Sequence, residues 1–289
     1  MTLGVHGLVF TGVFDLHGMK KATTGAQAAG FDLLEIPLMD PENFDAVEAK
    51  KVLDDSSLQV SASLGLQPHT DISSTDSAAV AAGRDVLMRC LDHVAIMGGA
   101  HLCGVIYSAM RKYDAPATAE GIANSQRVIG QVAEAAQERG ISVSLEVVNR
   151  YETNVMNSAR AGITFLAGID SSNVGLHLDT YHMHIEEPDM WQPVLESADY
   201  LRYVHIGESH RGYLGTGGVD FPNFFRALER TNFDGPIVFE SFSSAVVSES
   251  LSNTLGIWRN LWTDSADLAA HANRFIRDTQ RAVATIDMH

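Results

Sequence analysis

The chain has 289 residues, 45% of them hydrophobic and 19% charged, enough for one large core, since a (β/α)8 barrel needs about 250 residues. Its formal net charge of -16 repels a polyanion, and the basic pairs Lys20-Lys21 and Arg111-Lys112 are isolated, so no nucleic-acid partner is expected. Two cysteines, Cys90 and Cys103, without CxxC or Cys/His spacing, speak against a disulfide framework or a thiolate zinc site.

In chain order, the opening MTLGVHGLVFTG lacks the basic n-region and long apolar segment of a signal peptide, and LGVHGLVF (3–10) within it reads as a first strand. FDLLEIPL (31–38) and QVSASLG (59–65) follow as strands, then a helical pattern over 76–97. HLCGVIY (101–107) is the fourth strand, 118–139 a second clear helix and SVSLEVV (142–148) the fifth strand. VGLHLDT (174–180) and YVHIGE (203–208) come next, followed by a glycine-rich loop over 212–218 and a helix over 221–230. PIVFESF (236–242) makes the eighth strand, and a helix over 266–286 ends the chain. Ala29-Gly30, Gly98-Gly99 and Arg139-Gly140 sit where a helix should stop before a strand. Strands alternating with helices imply parallel pairing, because parallel neighbours need a crossover. Eight such units without a linker predict a single (β/α)8 TIM barrel over 1–289, its C-terminal helices (about 250–286) capping the barrel or making subunit contacts. No run reaches the roughly 18 apolar residues that span a bilayer, so no membrane partner and a cytoplasmic location are expected.

Glu146, Asp179, His205 and Glu240 each fall near the C-terminal end of a separate strand, the fifth to the eighth. In a barrel those ends converge on the rim where active sites are built. One carboxylate at a strand end usually caps the next helix. Four such groups, each inside an apolar stretch (SLEVV, LHLDT, YVHIG, VFESF), would repel or strand buried charge unless a cation neutralised them. Three carboxylates and one imidazole suit one divalent ion, Mn²⁺ or Mg²⁺, with Co²⁺ as a third candidate.

LEVVNRYETN (145–154), HLDTYHMHIEE (177–187), YVHIGESHRGYLGTG (203–217) and VFESF (238–242) resemble the ketose 3-epimerases of the xylose-isomerase-like barrels, the group of D-tagatose, D-allulose (D-psicose) and L-ribulose 3-epimerases. The resemblance runs from GFDLLEIPLMDP (30–41) to GIWRNLW (256–262). It implies that Glu146, Asp179, His205 and Glu240 hold the metal, in agreement with the strand-end reading, and that Glu146 and Glu240 are the two acid/base catalysts. It also implies that Glu152, His182 and Arg211 hold the O1–O3 end of the sugar, that His6, Met110 and Phe242 line the pocket, and that the protein is a homodimer or homotetramer. Some relatives carry large aromatics at the positions of His6 and Met110.

Read alone, Glu152 serves equally as a helix cap, His182 as a hydrogen-bonded wall residue and Arg211 as a solvated loop cation. His177 should face the same side of its strand as Asp179, next to the ligands rather than among them. His184, Glu186 and Glu187 receive no role, and His17, His69, His93 and His271 read as structural or surface groups. The expected substrate is an unphosphorylated ketose, since no phosphate-cradling Gly-rich loop is present. An aldose–ketose isomerase of the hydroxypyruvate or rhamnose isomerase type would use the same groups but move a proton between C1 and C2. A trinuclear endonuclease would need more histidines and a basic track, and a purely structural ion would leave the paired carboxylates without a task.

Overall fold

In the computed structural model residues 2–286 are described. β1 (Leu3–His6) is shorter than the apolar run 3–10 suggests. The ring of His6 accepts the Leu8 N–H at 3.2 Å, which caps a 3₁₀ turn over Gly7–Val9 and ends the strand. α1 (Leu16–Ala28), β2 (Leu33–Pro37), α2 (Ala46–Asp54) and β3 (Gln59–Leu66) follow. The first two of these helices start where Asp15 and Asp45 accept backbone N–H groups of the first turn.

α3 (Ser77–Met97) begins at the Asp76 cap and ends at Gly98, whose φ of 76° is the left-handed turn foreseen there. β4 (His101–Ala109), α4 (Ala119–Glu138), β5 (Ser142–Val147) and α5 (Ala159–Leu166) repeat the unit. β6 (Val174–Asp179) runs directly into α6 (Thr180–Glu186), followed by the short α7 (Gln192–Glu196) and β7 (Leu201–Ile206). α8 (Phe221–Arg230) precedes β8 (Ile237–Phe239), and α9 (Glu249–Leu255) and α10 (Ser265–Ile286) complete the described chain.

The strands close into one parallel barrel in sequence order, β1 pairing with both β2 and β8. This is the (β/α)8 architecture that strand–helix alternation predicts. α10 packs between α8 and α1 as part of the outer ring rather than over the mouth. α9 takes the mouth position instead, its Leu251 and Leu255 lying over the cavity there. Among the described residues no helix is long and apolar enough to cross a membrane.

The main apolar core lies between the outer faces of the strands and the helices. Inside the barrel, Leu33, Cys103, Tyr203 and Val238 pack together at the lower level. A Cβ on Gly4 would meet Leu33 and Val238 at 2.6 and 2.8 Å, so glycine makes room for both in the lumen. Strand alternation then carries His6, Glu35, His205 and Glu240, each two residues further on, into the lumen one level nearer the mouth.

Candidate active site

Each candidate ligand is delivered by the end of its own strand. Asp179 closes β6 and also caps α6: one carboxylate oxygen accepts the Tyr181 N–H at 2.9 Å, and the other is buried without a hydrogen bond. Register sets Asp179 opposite His205 of β7, and Glu146 opposite His177 one level down. The eighth strand stops earlier than the run 236–242 suggests, but Glu240 still donates its N–H to Ile206 O at 3.1 Å, which holds it at the barrel rim.

The donors converge. Ligand atoms of Glu146, Asp179 and His205 lie within 4.8 Å of one another, a spread that one ion with bonds of about 2.0–2.6 Å can bridge. Nδ1 of His205 lies 3.3 Å from Glu240 Oε1 and 3.7 Å from Glu146 Oε1, yet makes no hydrogen bond. Buried acceptors left unpaired are costly, so this set fits a divalent cation.

Electrostatics separate the two glutamates. Burial pushes the Glu146 carboxyl up to about 7, reinforced by Glu240 and Glu152 and opposed by His205. Burial also raises Glu240, but the charges of His205 and Arg211 outweigh it and hold that carboxyl well below its ordinary range. Burial, then Glu240, raises Asp179 well above its usual value. Burial would lower His205, but Glu35 and Glu240 raise it well above an ordinary imidazole. Two carboxyls pushed apart in this way can hold opposite protonation states, as an acid/base pair requires.

The residues assigned to the sugar's O1–O3 end surround this cluster. Asn149 donates its backbone N–H and its side-chain amide to Nδ1 of His182, at 3.1 and 2.8 Å. That ring therefore carries its proton on Nε2, which sits 3.6 Å from Asp179 and 3.7 Å from Glu146. The amide of Asn149 also donates to Glu152 at 2.9 Å. Arg211 is buried, donates to Glu240 Oε2 at 2.8 Å, and lies 3.6 Å from Glu152. Its guanidinium stacks over Tyr181 at 3.7 Å and Phe242 at 4.7 Å. The alternative of a solvated loop cation does not hold for Arg211: the side chain is clamped between two rings and two carboxylates.

Arg211 has φ of 61°, a left-handed conformation uncommon for a residue with a Cβ. Its N–H donates to Glu208 O at 2.8 Å, and its carbonyl accepts the Ser241 hydroxyl at 2.5 Å. Ser241 in turn accepts from the Trp262 indole at 2.8 Å. GIWRNLW is therefore partly internal: Trp262 is buried and steadies Arg211, whereas Trp258 is 77% exposed.

His6, Met110 and Phe242 share one cavity at the mouth with Glu146, His205 and Glu240. His177 is inside the barrel, its ring 4.1 Å from that of His205. Glu186 binds Arg150, and Glu187 accepts the Ala159 N–H at 2.7 Å, so both staple the loops around α6. His93 and His271 hold backbone carbonyls of Pro41 and Leu214.

Asn149, Glu208 and Glu35 are among the residues of the site with no counterpart in the sequence reading. Glu35 carried a visible signal, because LLEIP places an acid inside an apolar strand just as SLEVV and VFESF do. Asn149 and Glu208 lie in polar loop contexts where local pattern does not separate a support from a surface group.

Residues 24–279 match the model of the xylose isomerase-like TIM barrel family. The chain is similar to a ketose 3-epimerase of Arthrobacter globiformis, 57% identical over the whole of both chains. It is also similar to an L-ribulose 3-epimerase of a Methylomonas species, 52% identical over 95% of this chain and 96% of that one. Its fold matches the crystal structure of a D-allulose 3-epimerase from Methylomonas in complex with D-allulose, with a TM-score of 0.95 and 50% identity over 96% of this chain and 97% of that one.

Proposed function

We propose, for a chain that belongs to the xylose isomerase-like TIM barrel family and to the ketose 3-epimerases within it, that it inverts C3 of a free ketose by removing and returning the C3 proton. D-fructose and D-allulose are the first substrate pair to test, followed by D-tagatose with D-sorbose and ribulose with xylulose. The observation that carries the residue assignment is the placement of two carboxylates, from β5 and from the end of β8, on the same His205 nitrogen at 3.7 and 3.3 Å.

Glu146, Asp179, His205 and Glu240 would hold one divalent ion, and carboxylates with one imidazole favour Mn²⁺ or Mg²⁺ over softer metals. When bound, such an ion supplies Lewis-acid stabilisation of negative charge on neighbouring substrate oxygens. The chain's own residues do the rest. A C3–H beside a ketone is a weak acid, and one base cannot easily serve both faces of the carbon. Glu240, held ionised by the Arg211 guanidinium at 2.8 Å, takes the proton from one face. Glu146, the other carboxylate of the pair, would give one to the other face. In the reverse direction the roles exchange. Arg211, His182 and Glu152 fix the O1–O3 end, with Arg211 and the Nε2–H of His182 as donors and Glu152 as acceptor. Leu251 and Leu255 over the cavity help exclude water, and Phe242 and Met110 offer the remainder of the sugar an apolar wall. A homodimer or homotetramer belongs to the same reading, with the exposed Trp258 ring as one apolar contact, to be tested by light scattering.

The test is incubation with D-fructose, D-tagatose and L-ribulose in deuterated water with Mn²⁺. Deuterium is expected at C3 of the epimeric ketose, and Glu146→Gln and Glu240→Gln should each abolish it while the circular-dichroism spectrum stays unchanged. Label at C1, or an aldose product, would instead identify an aldose–ketose isomerase. Exchange retained in both variants would refute the two-base assignment.

A further inference from the structure

Beneath the candidate ligands lies a carboxylate that none of the roles above uses. Glu35 of β2 is fully buried, and no lysine or arginine pairs with it among the described residues. Its partners come from the far side of the lumen and from the neighbouring strand. Nε2 of His205 lies 2.8 Å from Glu35 Oε2, and the Tyr203 hydroxyl donates to the same oxygen at 2.7 Å. His6 Nε2 lies 3.4 Å from Oε1. The His6 ring accepts the Leu8 N–H on Nδ1, so its proton is on Nε2 and points toward Glu35 and Ser63. The Tyr203 hydroxyl is in hydrogen-bond contact with Ser61 of β3 as well, at 2.7 Å. Glu35 thus ties β1 and β2 to β7 across the barrel.

A buried carboxylate without a lysine or arginine partner is expensive, and an apolar side chain would fill the lumen at lower cost. What the carboxylate supplies is direction. Receiving the Nε2–H of His205 fixes the ring plane and leaves Nδ1, the nitrogen that faces Glu146 and Glu240, free to bind a cation.

We propose that Glu35 is a positioning residue for the ion: it holds His205 by Nε2 so that Nδ1 is presented to the metal, and the Tyr203 hydroxyl holds Glu35 in turn. This rests on the ion-site reading above. Glu35 touches neither the substrate nor the reacting carbon, so its effect reaches turnover only through ion binding and His205 orientation.

The experiment measures Mn²⁺ affinity directly, by the electron paramagnetic resonance signal of free ion over wild type, Glu35→Gln and Tyr203→Phe, without sugar. Glu35→Gln should bind Mn²⁺ about 10- to 100-fold more weakly, the usual range when a hydrogen-bond partner of a metal-ligating histidine is lost. Tyr203→Phe, which keeps the His205–Glu35 contact, should fall between wild type and Glu35→Gln. The melting temperatures of ion-free and Mn²⁺-loaded protein form the second readout. A positioning role shrinks the gain on adding Mn²⁺, whereas a purely structural role lowers both temperatures equally. If Glu35→Gln does not fold, nitrogen NMR of Mg²⁺-loaded wild type decides: the inference requires a slowly exchanging proton on His205 Nε2, and a proton on Nδ1 overturns it. Mn²⁺ affinity of Glu35→Gln within twofold of wild type overturns this inference alone. A wild-type protein that takes up no ion overturns the ion-site reading and this inference together.

Discussion

Glu208 offers the sharpest test of how the loop that carries Arg211 is held. Its buried carboxylate accepts three backbone N–H groups, from Ser209 at 2.8 Å, Gly215 at 2.9 Å and Val219 at 3.3 Å. The first and third fall on one oxygen and the second on the other. In Glu208→Gln one oxygen becomes an amide nitrogen that faces a donor, so at least one bond is lost and the others lose their charge assistance. With net values of about 1.5–3 kcal/mol for a hydrogen bond to a charged group and roughly half that for a neutral one, the total is about 3–6 kcal/mol. That cost falls on a loop outside the barrel ladder. It should therefore appear as local opening, raising amide exchange over 209–219 by roughly 160-fold or more while the barrel strands exchange as before. Arg211 is held in a left-handed conformation that this loop must enforce, so KM for the ketose should rise severalfold, with a smaller change in kcat. Unchanged exchange over 209–219 together with unchanged KM would refute the argument that Glu208 organises the loop.

Three other perturbations follow from the geometry. Arg211→Lys removes the planar stacking on Tyr181 and Phe242 and should raise KM at least tenfold in steady-state assays, while Arg211→Ala, which strands Glu240 and Glu152, should cost about 3–5 kcal/mol in denaturant unfolding. Chelation with EDTA should lower the melting temperature, and Mn²⁺ at a hundredfold above its dissociation constant should restore about 2.7 kcal/mol, read by calorimetry; no shift would count against the ion site. Gly104→Ala should destabilise by about 2 kcal/mol or more, because φ is 112° and the new Cβ would stand 2.3 Å from Leu64 O, and an unaltered melting temperature would contradict this close approach.

Much of this protein is written locally. Strand and helix periods, glycine stops at Gly30, Gly98 and Gly140, and the parallel alternation are properties of short windows, and the closed barrel agrees with them. Glu146, Asp179, His205 and Glu240 were visible because each interrupts an apolar strand near its C-terminal end, and this fold sends all such ends to one rim. The reach of the local signal stops at contacts between distant segments. LGVHGLVF looks like one strand, yet the His6 ring turns the chain after residue 6. Arg211 looks like a loop cation, yet Tyr181, Phe242, Ser241 and Trp262 converge on it from other parts of the chain. Glu35 and His205 are 170 residues apart and meet only because barrel closure sets the inner face of β2 opposite that of β7. Periodicity states which side of a strand a residue occupies. The stagger and curvature of the closed sheet decide which of those inward side chains touch, and the supporting contacts of this site depend on that choice.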